Sequence, residues 1–191
     1  MVMTNSVEPS SSSGHTIWMT GLSGSGKSTL ALLLADEVSA VGLEPLILDG
    51  DQLRQSISAD LGFSEEDRHE QARRVLELTL AHAERGMIVV VSLVSPFASD
   101  RDRARAAHVA RGFRFTEVYL STPLDVCERR DVKGLYERAR RGELADFTGI
   151  TSPYEPPRSP EVALDTSELG VAECVQEILD AVGLTTNRAS N

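Results

Sequence analysis

At 191 residues the chain is about one domain, long enough to bury a single sizeable core. Its 41% hydrophobic and 25% charged residues are those of an ordinary soluble globular protein, and no apolar run approaches the ~20 residues that span a bilayer, which excludes a membrane reading. A net charge of −10 argues against general nucleic-acid binding, so any polyanionic ligand must be met by cations gathered locally.

Residues 1–13 are Ser-rich without a core pattern and are expected to form a disordered tail, as are residues 185–191; the folded unit is placed at 14–184. The polar start shows no secretory leader. Cys127 and Cys174, both in helical runs, give no disulfide framework and read as reduced packing residues, so the expected compartment is the cytoplasm. An apolar run over 16–20 predicts a strand. It leads directly into Gly21-Leu22-Ser23-Gly24-Ser25-Gly26-Lys27-Ser28-Thr29, the Gly-x-x-x-x-Gly-Lys-Ser spacing of a phosphate-binding loop. A helical run over 27–41 follows, with Leu30, Leu33, Leu34, Ala35 and Val38 at helical spacing. Glycines let successive N–H groups turn into one concavity at the positive end of that helix. Lys27 would reach the β- and γ-phosphates of ATP, and the Ser28 hydroxyl would take a place on Mg²⁺. A plain Gly/Ser turn is the rival reading; the strand before and helix after speak against it.

The second strand, 45–48, runs into Asp49-Gly50-Asp51. Two carboxylates at that strand end suit phosphoryl transfer: Asp49 to help hold Mg²⁺ and Asp51 to accept the proton of an attacking hydroxyl. An ordinary Asp-Gly turn is the alternative. Ser64, with Asp67 three residues on, starts a helix over 65–85. The strand at 87–92 is almost continuously apolar, as in parallel sheets covered on both faces. It ends in Leu93-Val94-Ser95-Pro96, without the carboxylate that many P-loop ATPases carry there, and the chain has no Asn-Lys-x-Asp. Motor ATPases and GTPases are therefore disfavoured, and a small-molecule kinase remains.

A helix over 99–111 carries Arg101, Arg103 and Arg105, read as a solvated face; a strand follows at 115–120. Arg129, Arg130, Lys133, Arg138, Arg140 and Arg141, with Gly134, Gly142 and Phe147, read as a mobile lid over about 129–150 that brings cations to phosphate and excludes water. A last strand at 162–164 and helix at 171–181 complete an alternating pattern. That pattern predicts an α/β, three-layer P-loop NTPase-type fold: a mostly parallel five-stranded sheet, helices on both faces, ligands at the carboxyl ends of the strands. His15, His69, His82 and His108 lack metal-ligand spacing, His69 is expected to face solvent, and Trp18 reads as core.

Several strings together resemble adenylylsulfate (adenosine 5′-phosphosulfate, APS) kinases. They are Asp49-Gly50-Asp51-Gln52-Leu53-Arg54; Leu61-Gly62-Phe63-Ser64 with Asp67 to Arg74; Ser95-Pro96; Asp131-Val132-Lys133-Gly134-Leu135-Tyr136; and Phe147-Thr148-Gly149-Ile150. The resemblance covers most of 16–181 and implies transfer of the γ-phosphoryl of ATP to the 3′-hydroxyl of APS, giving 3′-phosphoadenosine 5′-phosphosulfate (PAPS). It further implies that Asp51, Gln52, Leu53, Arg54, Phe63, Arg68, Gln71, Val94, Ser95, Lys133, Phe147 and Thr148 hold the acceptor, and that Arg129 joins residues 21–29 on ATP. The implied catalytic set is Lys27, Asp51 and Ser95. Ser95 is sometimes given a phosphoserine role in the family, but direct displacement needs only alignment and charge stabilisation, so here it reads as a residue that binds the acceptor. Gln52 and Gln71 depart from the family's usual Asn, each longer by one methylene. The family also implies a homodimer and, with no sulfurylase segment here, a separate ATP sulfurylase. The rival readings are a P-loop kinase for another nucleotide or small alcohol, and a nucleotide-binding regulatory domain without phosphotransfer.

Overall fold

The computed structural model describes residues 14–184, so the expected tails at 1–13 and 185–191 lie outside the described residues. Five strands, β1 (His15–Gly21), β2 (Pro45–Asp49), β3 (Ile88–Ser92), β4 (Arg114–Leu120) and β5 (Val162–Leu164), pair in the order β2-β3-β1-β4-β5. Every pairing is parallel, so the sheet is wholly rather than mostly parallel. β1 lies at its centre and is buried along its full length. Side-chain alternation divides it between two cores. Ile17 and Met19 face α1 (Lys27–Ala40) and α7 (Val171–Val182), packing with Leu30, Leu34, Ile178 and Leu179. Trp18 faces the opposite layer, α3 (Glu65–Ala83) and α4 (Ala98–Ala110), with Val75, Leu76 and Ala104. Leu33, expected in the buried stripe of α1, sits at its edge, 38% exposed.

Element ends fall within two residues of the predicted ones; the helical run read around Cys127 is α5 (Leu124–Arg130), and two short helices were not predicted, α2 (Gly50–Arg54) and α6 (Leu135–Arg140). Helix α2 explains Asp49-Gly50-Asp51, because Asp49 caps it, its carboxylate accepting the Asp51 N–H at 3.0 Å. As expected, Ser64 caps α3 through the Asp67 N–H, and Cys127 and Cys174 are buried free thiols.

The Arg101–Arg103–Arg105 reading is corrected. Arg101 is 2% exposed and its Nε donates to Glu117 on β4 at 2.8 Å. Alternation is a strand period; at 3.6 residues per turn Arg101 and Arg105 share a face, and both reach Glu117. His69 does not simply face solvent either: its Nδ1 lies 2.7 Å from Asp100 Oδ2 and its ring packs on Phe97.

Candidate active site

The β1–α1 turn sets the floor of the site. Gly24 has φ +77, and a Cβ there would lie 3.0 Å from the Cys127 carbonyl; Gly26 has φ +100. Both positions need glycine, and the loop then opens onto the first turn of α1, which no side chain caps. Unsatisfied amides and the positive end of a 14-residue helix make an anion cradle. Lys27 arches over it, 8% exposed, donating to the carbonyls of Gly21 (2.9 Å) and Leu22 (2.7 Å) and to Ser25 Oγ (3.3 Å). Burial pulls its ammonium from the usual 10.5 to about 8, with Asp49 and Asp51 acting in the opposite direction.

Strand register builds the next part. Asp49 ends β2 level with Ser92 at the end of β3, and both stand beside Ser28 in the first turn of α1. Ser28 Oγ donates to Asp49 Oδ2 at 2.7 Å and Ser92 Oγ donates to the same oxygen at 3.1 Å. Two hydroxyls and a carboxylate are hard oxygen donors, a set that fits Mg²⁺ sharing its sphere with phosphate and water. No cluster of three His, Cys, Asp or Glu occurs among the described residues.

This floor belongs to a cavity of about 440 Å³ that also takes in Arg130, Lys133, Tyr136 and Thr166. A second cavity lies behind it, bordered by Arg54, Phe63, Arg68, Gln71, Ser95 and Phe147, with Thr148 also on its wall. Ser23, Gly50, Asp51, Leu93 and Val94 border both. Asp51, at that junction, is ion-paired with Lys133.

The second cavity gathers two guanidinium groups around an aromatic ring. Arg54 stands 4.3 Å and Arg68 5.7 Å from the centre of the half-exposed Phe63 ring. Burial lowers the pKa of Arg54 and takes that of Arg68 down to about 10, the neighbouring Arg54 contributing to the latter; a bound anion would relieve both. Arg54 Nη2 donates to Gln71 Oε1 at 2.6 Å, whereas Gln71 Nε2 and Thr148 Oγ1 are buried without a hydrogen-bond partner. Polar atoms left in that state beside a cavity call for ligand polar groups. Arg68 also donates to the Asp146 carbonyl at 2.7 Å, joining α3 to the far end of the lid. Ser95, 7% exposed, has φ 44 in the left-handed region and accepts the Trp18 Nε1–H at 3.2 Å. Trp18 is thus core, as expected, and also supports the site.

Some predicted site residues are not brought in. Arg129 turns outward to Asp125 (2.6 Å), and its neighbour Arg130 faces the phosphate loop, donating to the Gly24 carbonyl (3.2 Å) and to Thr166 Oγ1 (2.8 Å). One residue along a helix is a 100° rotation, which a cationic run cannot resolve. Gln52 is exposed and borders neither cavity, Leu53 is buried in the α3-side core, and Leu22 lines a separate groove on the far side of the loop. Sequence reasoning missed Thr166, which has no motif around it, and gave Tyr136 no role.

A family model described as adenylylsulphate kinase matches residues 13–165. The chain belongs to the adenylylsulfate kinase family. Family members include the adenylyl-sulfate kinase of Acaryochloris marina, 48% identical over 86% of this chain and 79% of that protein. That of Saccharomyces cerevisiae is 46% identical over 87% and 83%. Among solved structures, the Mycobacterium tuberculosis APS kinase CysC in complex with AMPPNP and APS superposes with a TM-score of 0.86 at 45% identity, covering 89% of this chain and 98% of that one. A gluconokinase from Sinorhizobium meliloti, at 23% identity and a TM-score of 0.57, shares the fold.

Proposed function

We infer that this chain is an adenylylsulfate kinase that moves the γ-phosphoryl of ATP to the 3′-hydroxyl of APS, giving ADP and PAPS. The observation that carries the reading is the pair of cavities meeting at Asp51, one floored by an anion cradle and the other lined by arginines and aromatic rings. The relative solved with an ATP analogue and APS supports it.

In this reading the amides of residues 23–28 and Lys27 hold the triphosphate, with Arg130 and Thr166 at its nucleoside side. Ser28 and Asp49 would hold Mg²⁺, which would supply positive charge to neutralise the triphosphate. Arg54 and Arg68 grip the phosphosulfate of APS with forked donors, Phe63 and Phe147 offer flat faces to its adenine, and Gln71 and Thr148 supply the missing polar partners. Asp51 accepts the 3′-hydroxyl proton as its oxygen attacks, and Lys133 keeps a cation where negative charge builds. Ser95 bounds the acceptor without carrying phosphate, since alignment and charge stabilisation suffice for direct displacement. Residues 129–150 close over both ligands and keep water from competing as acceptor. By family resemblance the enzyme works as a cytoplasmic homodimer supplied by a separate ATP sulfurylase; among the described residues no helix is long and apolar enough to cross a membrane.

Mass spectrometry of the products from ATP, Mg²⁺ and APS tests the reading. PAPS and ADP in equal amounts are expected. ATP consumption only with some other hydroxyl acceptor would replace it with the second kinase reading, and nucleotide binding without any product would replace it with a regulatory role.

A further inference from the structure

Tyr136, in the lid helix α6, touches the walls of both cavities. It is 1% exposed, and its hydroxyl donates to the Ser23 carbonyl at 2.8 Å. Its ring meets Phe147 edge-on, centroids 5.0 Å apart and planes at 85°. The helix that carries it is fixed by Asp131, whose carboxylate accepts the N–H groups of Tyr136 (3.1 Å) and Glu137 (3.0 Å).

The hydroxyl's partner is chemically informative. The Ser23 carbonyl belongs to the same planar peptide unit as the Gly24 N–H, so a donor on that oxygen fixes the plane and polarises the N–H. Gly24 and Ser23 border the phosphate cavity, and Ser23 borders the second cavity as well. Tyr136 lines the phosphate cavity, whereas Phe147 lines the other. A single buried side chain therefore sets one peptide of the donor cradle and one aromatic wall of the acceptor site.

We propose that Tyr136 is a positioning residue that couples ATP binding to APS binding. Nucleotide on the loop holds the Ser23–Gly24 peptide, which holds the Tyr136 hydroxyl and, through its ring, Phe147; APS against Phe147 transmits the same constraint in reverse. Such coupling is reciprocal by thermodynamic necessity. The proposal rests on the donor and acceptor roles given to the two cavities above.

Tyr136→Phe keeps the ring and removes the hydroxyl alone. Calorimetry gives the affinity for APS with and without saturating AMPPNP and Mg²⁺, and the affinity for AMPPNP with and without APS. In the wild type each ligand is expected to tighten the other. In Tyr136→Phe that mutual gain falls by about fivefold, by the same factor in both directions, the loss of one buried hydrogen bond. Each affinity measured alone is expected to fall as well, so the readout of coupling is the ratio of the affinities with and without the second ligand. A thermal melt identifies a variant with a damaged fold. Full coupling in Tyr136→Phe overturns the proposal, as does independent binding of the two ligands in the wild type. A wild type that binds AMPPNP but not APS overturns the functional reading itself, and the proposal with it.

Discussion

Lys27 gives the sharpest quantitative expectation. Burial holds its pKa near 8, against 10.5 in the unfolded chain. The sign follows from proton counts: between pH 8 and 10.5 the unfolded state binds more protons, so stability rises with pH in that window, and below pH 8 the folded protein carries a charged amine at a penalty of roughly 3 kcal/mol. A triphosphate against Nζ supplies the missing counter-charge and returns the pKa toward its ordinary value. At pH 8 about half of the Lys27 side chains are neutral before binding and nearly all are charged after it, so each nucleotide should draw in about half a proton. The terminal phosphate of ATP does not interfere, because its second ionisation is near 6 and complete by then. Calorimetry of ATP binding with Mg²⁺ and no acceptor, in two buffers of different ionisation enthalpy at pH 8, reads that uptake directly. Affinity should also weaken by up to about tenfold per pH unit above 8. Lys27→Met should bind weakly and take up no proton. Wild-type binding with no proton uptake, and affinity constant from pH 7 to 9, would refute the placement of Lys27 on the phosphates.

Asp51→Asn should lower kcat by at least about 100-fold while leaving ATP affinity within about twofold, since proton acceptance is lost and the cradle is intact; a kcat within tenfold of wild type removes Asp51 as the base. Gln71→Asn withdraws the amide oxygen from Arg54 Nη2, now at 2.6 Å, and should raise KM for APS about tenfold. A KM that fell instead would mean that the longer side chain serves a different acceptor. His15, held at about 4 by burial, must charge on unfolding in acid, so stability is full above pH 6.5 and falls toward pH 4 by roughly 3 kcal/mol. Urea midpoints at pH 7 and 4.5 for the wild type and His15→Gln test this: the variant should show the smaller difference, and equal differences would refute it.

Much of the donor half was legible because its chemistry is contiguous. One loop supplies the amides, the lysine and the hydroxyl, and a strand end supplies the carboxylates, so spacing along the chain is also spacing in space. The acceptor half is assembled from α2, α3, the β3 exit loop and the lid, and only family resemblance joined Arg54, Arg68, Gln71 and Phe147 in advance. What stayed illegible was rotational. Arg129 and Arg130 are equivalent as composition but lie 100° apart on α5, and only the phosphate loop beside them decides which faces inward. Helices α2 and α6 were invisible for a related reason. Runs of five or six residues do not hold a helix by propensity, so both depend on caps from Asp49 and Asp131 that become meaningful only once the surroundings are in place.

Arg101 carries that dependence furthest. A buried guanidinium is expensive unless its donors are met, and here the bonds run to three segments: Nε to Glu117 on β4, Nη1 to the Ser95 carbonyl at 2.6 Å, and Nη2 to the Glu155 carbonyl at 2.6 Å. The Glu155 N–H returns to the Pro96 carbonyl at 2.9 Å, and the Glu155 carboxylate receives the Ala98 N–H at 2.7 Å. Thr20 Oγ1, at the end of β1, has the Val94 carbonyl at 2.7 Å and the Ser95 carbonyl at 3.1 Å. A left-handed serine costs about 1 kcal/mol or more and persists only where its surroundings hold it, as these contacts do from three sides. The loop that closes the acceptor cavity and the segment returning from the lid are thereby clamped to the rigid sheet by a side chain that borders neither cavity. A hydrophobic residue of similar volume could satisfy the core at that position, but it would leave the Glu155 carbonyl without this donor and the Ser95 carbonyl with only the Thr20 hydroxyl that it shares with Val94. The buried charge is therefore best understood as holding the acceptor wall in one place, with chain stability the secondary consequence.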